Sequence, residues 1–148
     1  MNNKPFSTHY FITRNFLATL IILFAVCGCS SDRIPTYPCR GRVQFEGGEL
    51  VKTGVIELES IEHGTTATGK ISPDGTFVLG TYREDDGAVA GEHRVIVIQM
   101  VMNDGVIQHT QDHGEAVPSR YSSYEQSDLR EKVEAKELND LVIVIASE

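Results

Sequence analysis

Thr68-Gly69-Lys70-Ile71-Ser72-Pro73-Asp74-Gly75-Thr76-Phe77-Val78-Leu79 holds a turn between two short alternating stretches. Proline at the second position of Ser72-Pro73-Asp74-Gly75 presets φ, and glycine tolerates a positive φ later in the turn. Ala67 and Ile71 share one face of the incoming stretch, and Phe77 and Leu79 share one face of the outgoing one. A period of two sends alternate side chains to opposite faces of a sheet. The pattern predicts strands over 65–72 and 76–79 joined as a hairpin, and with them an antiparallel β domain.

The same period recurs on both sides. Over 39–45, Val43 and Phe45 fall on one face and Arg42 and Gln44 on the other, and Gly47-Gly48 then turns the chain. Over 55–60, Ile56 and Leu58 oppose Glu57 and Glu59. Downstream, 81–92 reads as a loop, 93–102 as a long strand and 103–128 as a polar connection. A short strand over 129–133, a turn or helix over 132–138 and a closing strand over 141–146 complete the chain. About seven strands at this spacing, with no long helical period, predict an all-β Greek-key sandwich. Two stretches break the alternation: Val95-Ile96-Val97-Ile98 and Leu141-Val142-Ile143-Val144-Ile145 are apolar on both faces. Such strands need two covers, the second from 103–128 or from a partner.

The first thirty residues carry a different signal. Lys4 and Arg14 precede an apolar run from Phe16 to Val26 interrupted by Thr19, and no acid occurs before Asp32. About eleven residues is the length of a signal-peptide core; a spanning helix needs about twenty. The run ends in Val26-Cys27-Gly28-Cys29. With Cys29 as the first mature residue, aliphatic Val26 stands at −3 and small Gly28 at −1, which fits the bacterial lipobox; Cys27 would put Phe24 and Val26 there, a poor fit. The expectation is a signal peptide over 1–28, diacylglycerol with further acyl chains (palmitate-type) on Cys29, and a tether over 29–38 broken by Pro35 and Pro38. The alternatives are a plainly cleaved signal or an uncleaved anchor. Acyl chains buried at ~0.8 kcal/mol per methylene would hold the domain, 39–148, at a membrane. Ser30 rather than aspartate after the cysteine favours the outer membrane or its periplasmic face over inner-membrane retention.

Without 1–28 the chain loses Lys4 and Arg14, leaving 11 basic against 21 acidic side chains and a net charge of −10. That sign argues against nucleic acid and anionic head groups as partners. With Cys29 acylated, Cys39 has no intrachain partner, so no disulfide framework is expected.

Arg40-Gly41-Arg42-Val43-Gln44-Phe45, the 68–79 stretch quoted above, Asp86-Gly87-Ala88-Val89-Ala90-Gly91-Glu92-His93-Arg94-Val95-Ile96-Val97 and Pro118-Ser119-Arg120-Tyr121-Ser122-Ser123-Tyr124 follow the lipobox in order. As a set, spanning nearly all of 37–146, they resemble planctomycete-type lipoproteins with a carboxypeptidase regulatory-like, transthyretin-like domain. The resemblance implies a prealbumin-like sandwich and no activity, since it brings no catalytic motif and a fold by itself names no function. Cys39 departs from the aliphatic residue expected just before the first strand.

Candidate chemistry is sparse. His109, Asp112 and His113 make an H-x-x-D-H cluster, but imidazoles four apart converge on a metal only in a helix, and Gly105 and Gly114 mark a loop. Glu84-Asp85-Asp86-Gly87 could hold calcium, but it lacks the alternating acids of a calcium loop, and an acidic connection between strands is preferred. The resemblance implies conformational chemistry for Asp86-Gly87-Ala88-Val89-Ala90-Gly91, whose glycines permit a tight return into the next strand. Arg40 and Arg42 near Cys39 favour a thiolate, yet no Cys–His signature accompanies it; a structural cysteine ranks first, then an intermolecular disulfide, then a reactive thiol. Glu57 and Glu59 are expected to solvate a sheet face. Tyr121 and Tyr124 either form a binding surface or pin the long connection over 95–101, the second being preferred. No catalytic residue, metal or cofactor is expected. The leading expectation is a membrane-tethered, non-enzymatic interaction or structural domain of the cell envelope, with an envelope protein, a glycan or a second copy as partner. A carbohydrate- or peptide-binding accessory module comes second, and a small metal-dependent hydrolase built on His109 and His113 third.

Overall fold

The computed structural model describes residues 33–99 and 113–147; Cys29, His109 and Asp112 lie outside the described residues. The strands are β1 (Thr36–Tyr37), β2 (Cys39–Phe45), β3 (Gly54–Ser60), β4 (Thr66–Ile71), β5 (Thr76–Val78), β6 (Ala88–Val89), β7 (Gly91–Ile98), β8 (Arg130–Val133) and β9 (Asn139–Ile145). A 3-10 turn, Ser119–Ser122, stands before β8. Three strands form one sheet in the order β5-β2-β9, and four form another in the order β4-β3-β7-β8. Strands β2 and β9 run parallel, and every other pair is antiparallel.

The alternation sends the expected residues inward. Val43 and Phe45 from β2, Phe77 from β5 and Leu141, Ile143 and Ile145 from β9 meet Ile56 and Leu58 from β3, Ala67 and Ile71 from β4 and Val95 and Val97 from β7 in one core. The two sheets therefore pack face to face, as an all-β sandwich requires. Gly41 lies where β2 and β9 approach: a Cβ there would run into the Leu141 carbonyl.

The opening hairpin forms only at its ends. Gly75 donates to the Ser72 carbonyl at 2.8 Å and Ser72 to the Thr76 carbonyl at 2.8 Å. Thr68 and Gly80 exchange two further backbone bonds, at 2.9 and 3.0 Å. Between these ends the strands part, β4 pairing with β3 and β5 with β2. The turn chemistry is local and correct. The partners were chosen by the core, because a chain that crosses from one sheet to the other must open its ladder at the corner.

Three other expectations change. The tether is not irregular throughout: Thr36 and Tyr37, between the two prolines, pair with Val89 and Ala88. The loop expected over 81–92 accordingly contains β6 and the start of β7. Gly87 makes this possible with φ +84°, and a Cβ on it would strike the Tyr37 carbonyl. Third, the doubly apolar strands fare differently. Ile96, on the outer face of β7, is buried. Val142 and Val144, on the outer face of β9, are 45% and 43% exposed. The 113–128 part of the connection lies along β7: Ser127 donates its hydroxyl to the Val95 carbonyl at 2.6 Å, and Gln99 accepts from the Val117 N–H at 2.9 Å.

Candidate functional site

Cys39 opens β2 with its side chain inward, 1% exposed, its thiol donating to the Tyr37 carbonyl at 3.2 Å. Burial pushes the thiol above its ordinary range, outweighing a backbone bond from Ala88 and the charge of Lys136. Arg40 and Arg42 project from the opposite face, so the expected thiolate stabilisation does not reach the sulfur. Cys39 is a core residue, and it is free of any disulfide.

The acidic turn is also conformational. One carboxylate, Asp86, accepts the N–H groups of Thr81 at 2.7 Å, Tyr82 at 3.2 Å and Arg83 at 3.0 Å. Its lone pairs close the loop, which leaves Asp86 unsuited to hold calcium. Asp85 takes a left-handed φ of +60° beside it.

The tyrosines divide their work. Tyr121 is 2% exposed within the core, and its hydroxyl accepts the Ala146 N–H at 3.1 Å and an Arg120 guanidinium N–H at 3.0 Å. Arg120 also donates to the Ala146 carbonyl at 3.2 Å. Tyr124 lies over the outer face of β3 and β7, reaching Glu57 at 3.4 Å, with the Arg94 guanidinium 5.2 Å from its ring centre. Arg94 is ion-paired with Glu59. Burial, then the charges of Glu57 and Glu59, push the Tyr124 phenol up to about 12. The Tyr121 ring is closed to a ligand, while the Tyr124 ring is half-buried.

The register also aligns residues that no motif announced. Ser60 pairs with His93, and His93 with Glu131, in one row across β3, β7 and β8. The phase of His93 with the buried Val95 and Val97 was the available signal for its inward direction. A hydroxyl, an imidazole and a carboxylate are the components of a hydrolytic triad. Here Ser60 Oγ accepts the His63 N–H at 3.2 Å, and His93 Nδ1 donates to the Gly91 carbonyl at 3.1 Å. Ser60 and His93 are 2% and 1% exposed, so the row is closed to a substrate. Burial lowers the histidine's pKa and raises that of Glu131. Of the H-x-x-D-H cluster only His113 is described, with its carbonyl accepting from the Gln99 amide at 3.1 Å. Among the described residues no three metal-ligating side chains gather, and no helix is long and apolar enough to cross a membrane.

What remains open is the outer face of the three-stranded sheet. Val78, Arg40 and Asp140 form one row, and Thr76, Arg42 and Val142 the next. Arg40 stands 3.7 Å from Asp140 across an exposed pair, an arrangement worth little in energy. A shallow cleft of about 520 Å³ runs between these side chains. Around the corner, a polar groove of about 670 Å³ is lined by Thr66, Thr68, Lys70, Tyr82 and Arg83. Compared with protein-family models, with curated proteins and with solved structures, the chain matches none.

Proposed function

We propose that this chain is a membrane-tethered, non-enzymatic lipoprotein of the cell envelope whose β-sandwich presents a binding surface. The carrying observation is the spacing at the N-terminus: Cys29 of the lipobox stands ten residues before Cys39, which is already buried in the core. The seven steps from Cys29 to Thr36 reach at most about 25 Å at full extension, so an acylated Cys29 would keep the domain at the head groups. The exposed Val78, Val142 and Val144 beside Arg40 and Arg42 support an interaction role, because apolar groups gathered on one face mark contact sites. The likeness to carboxypeptidase regulatory-like lipoproteins points the same way. Intact mass of protein from a membrane fraction, beside Cys29→Ala, tests the reading. A lipidated chain beginning at Cys29, lost in the variant, is the expected result. An unlipidated chain, or one retaining 1–28, overturns it.

The groove at Tyr82 favours a second reading, a carbohydrate-binding module, since an aromatic ring among hydroxyls and charged side chains suits a sugar. Titration with cell-wall oligosaccharides, followed by amide NMR shifts over 66–85, distinguishes it. Shifts elsewhere, or none at millimolar sugar, remove it.

A further inference from the structure

The last strand carries an unfinished edge. The N–H of Asn139 is donated to the Pro38 carbonyl at 2.8 Å, and the carbonyl of Ile145 accepts from Glu46 at 3.0 Å. Odd-numbered residues of β9 therefore turn their backbone groups toward β2, and Asp140, Val142 and Val144 turn theirs away. Strand β9 stands at the end of its sheet among the described residues. Ala146, next in the same phase, has its N–H held by the Tyr121 hydroxyl and its carbonyl by Arg120. The edge is thus capped at one end and open over three residues. Strand β8, at the end of the other sheet, carries Arg130, Glu131 and Lys132, the charged side chains that discourage strand addition. Strand β9 carries one charge, Asp140. Among the described residues the exposed large apolar ones are Ile61, Val78, Leu138, Val142 and Val144, and the last three lie on β9 or immediately before it.

We infer that β9 pairs antiparallel with β9 of a second copy of this chain, in a register centred on Val142. The register follows from the backbone. Only when Val142 faces Val142 of the second copy do all three open residues meet open residues, Asp140 facing Val144 on each side. Six backbone bonds then form, since directly opposed residues of a hydrogen-bonded antiparallel pair exchange both groups. A register moved two residues either way pairs two open residues instead of three. The chosen register also sets Leu138 of one copy opposite Ala146 of the other. The joint sheet would run β5-β2-β9 into β9-β2-β5 of the second copy, a closed two-fold contact. The contact is short, and its strength in the cell rests on the tethering proposed above, which raises the local concentration as a linker does.

Oxidative cross-linking of the full-length chain in membranes, with copper–phenanthroline, reads the register. Val142→Cys should form a disulfide dimer, because opposed residues in such a pair stand about 5.5 Å apart at Cα, within disulfide range. Val144→Cys alone should not, its two copies lying four residues out of step, about 13 Å along the strand. Asp140→Cys and Val144→Cys expressed together should cross-link. Adding Val142→Pro should cut that mixed cross-linking at least tenfold without lowering Tm by more than a few degrees, because this N–H has no partner in the free strand. Equal cross-linking of Val142→Cys and Val144→Cys overturns the register, and none in any variant overturns the pairing. Amides of Val142 and Val144 protected from exchange in an isolated monomer also overturn it, showing the edge covered by its own chain, as does a Val142→Cys adduct with a different protein. Mass spectrometry of the same fractions separates the two readings: lipidated Cys29 without cross-linking sinks only the pairing. The same pattern in an unlipidated chain, concentrated in solution, sinks only the tether.

Discussion

Replacing Tyr121 by Phe removes one oxygen and keeps the ring. That oxygen accepts the Ala146 N–H at 3.1 Å and an Arg120 N–H at 3.0 Å. Arg120 keeps its bond to the Ala146 carbonyl and its place 4.7 Å over the ring centre. Water can reach the freed Ala146 N–H at the sheet edge, so the loss is that of net hydrogen bonds, about 1–1.5 kcal/mol. Tyr121→Ala also removes a ring that is 2% exposed in the core, which raises the cost to about 3–5 kcal/mol. In urea unfolding the midpoint should fall in the order wild type, Tyr121→Phe, Tyr121→Ala, with m unchanged in the Phe variant. A compact unit of this size shifts by about 4 °C for each kcal/mol, so a melting curve resolves the steps. Hydrogen exchange at Ala146 should quicken in Tyr121→Phe while that of Ile143 stays slow. A Phe variant within 0.3 kcal/mol of wild type, with Ala146 still protected (roughly the error of such a comparison), would refute the claim that this hydroxyl ends β9.

Gly87→Ala forces a side chain into a φ of +84° against the Tyr37 carbonyl, and should cost about 2–3 kcal/mol and free β1 from β6, read by unfolding midpoint and amide exchange at Tyr37. Asp86→Ala leaves three N–H groups without their carboxylate and should cost about 2 kcal/mol, whereas addition of calcium to the wild type should leave Tm unchanged. Acid should weaken the fold through His93: burial holds its folded pKa below the ordinary 6.5, so the unfolded chain takes the proton more readily and stability falls as pH drops below about 6.5. Burial raises Glu131, whose contribution runs the other way and is lost as pH rises above 4.5, so the comparison that isolates the histidine is the Tm slope between pH 7.5 and 5.5 against that of His93→Gln. The Cys39 thiol should resist aromatic disulfide reagents in the native protein and react fully in denaturant; rapid native labelling would contradict its burial.

Most strands were legible because each carries its own period. Val43 and Phe45, Ile56 and Leu58, and Phe77 and Leu79 all face inward as the alternation requires. The roles of Cys39 and the acidic turn were partly legible. The sequence points to a half-buried structural cysteine, and the structure buries it fully; Arg40 and Arg42 do not act on it, because adjacent residues on a strand point to opposite faces. The conformational role implied for the stretch rests on its glycines in the sequence, and in the structure the Asp86 carboxylate shares it. Its three backbone donors could not be named from sequence, since they depend on how the loop closes. The sequence alone gives the two tyrosines one shared task. Instead Tyr121 sits in the core and Tyr124 on an outer face, a difference set by the 3-10 turn, which carries no periodic signal.

Alternation, turn residues and the lipobox are local. They depend on each residue's neighbours along the chain, so the sequence by itself determined an all-β domain, the Ser72–Gly75 turn, the positions of the long alternating strands and the expectation that Cys29 is modified. Pairing is not local. That β4 and β5 leave one turn for different sheets, that β2 lies parallel to β9, that Ser60, His93 and Glu131 share a row, and that Val142 and Val144 remain uncovered were decided by the tertiary structure alone. The pattern of two tells a side chain which face of a strand it occupies; only the closing of the core decides which strand lies beside it.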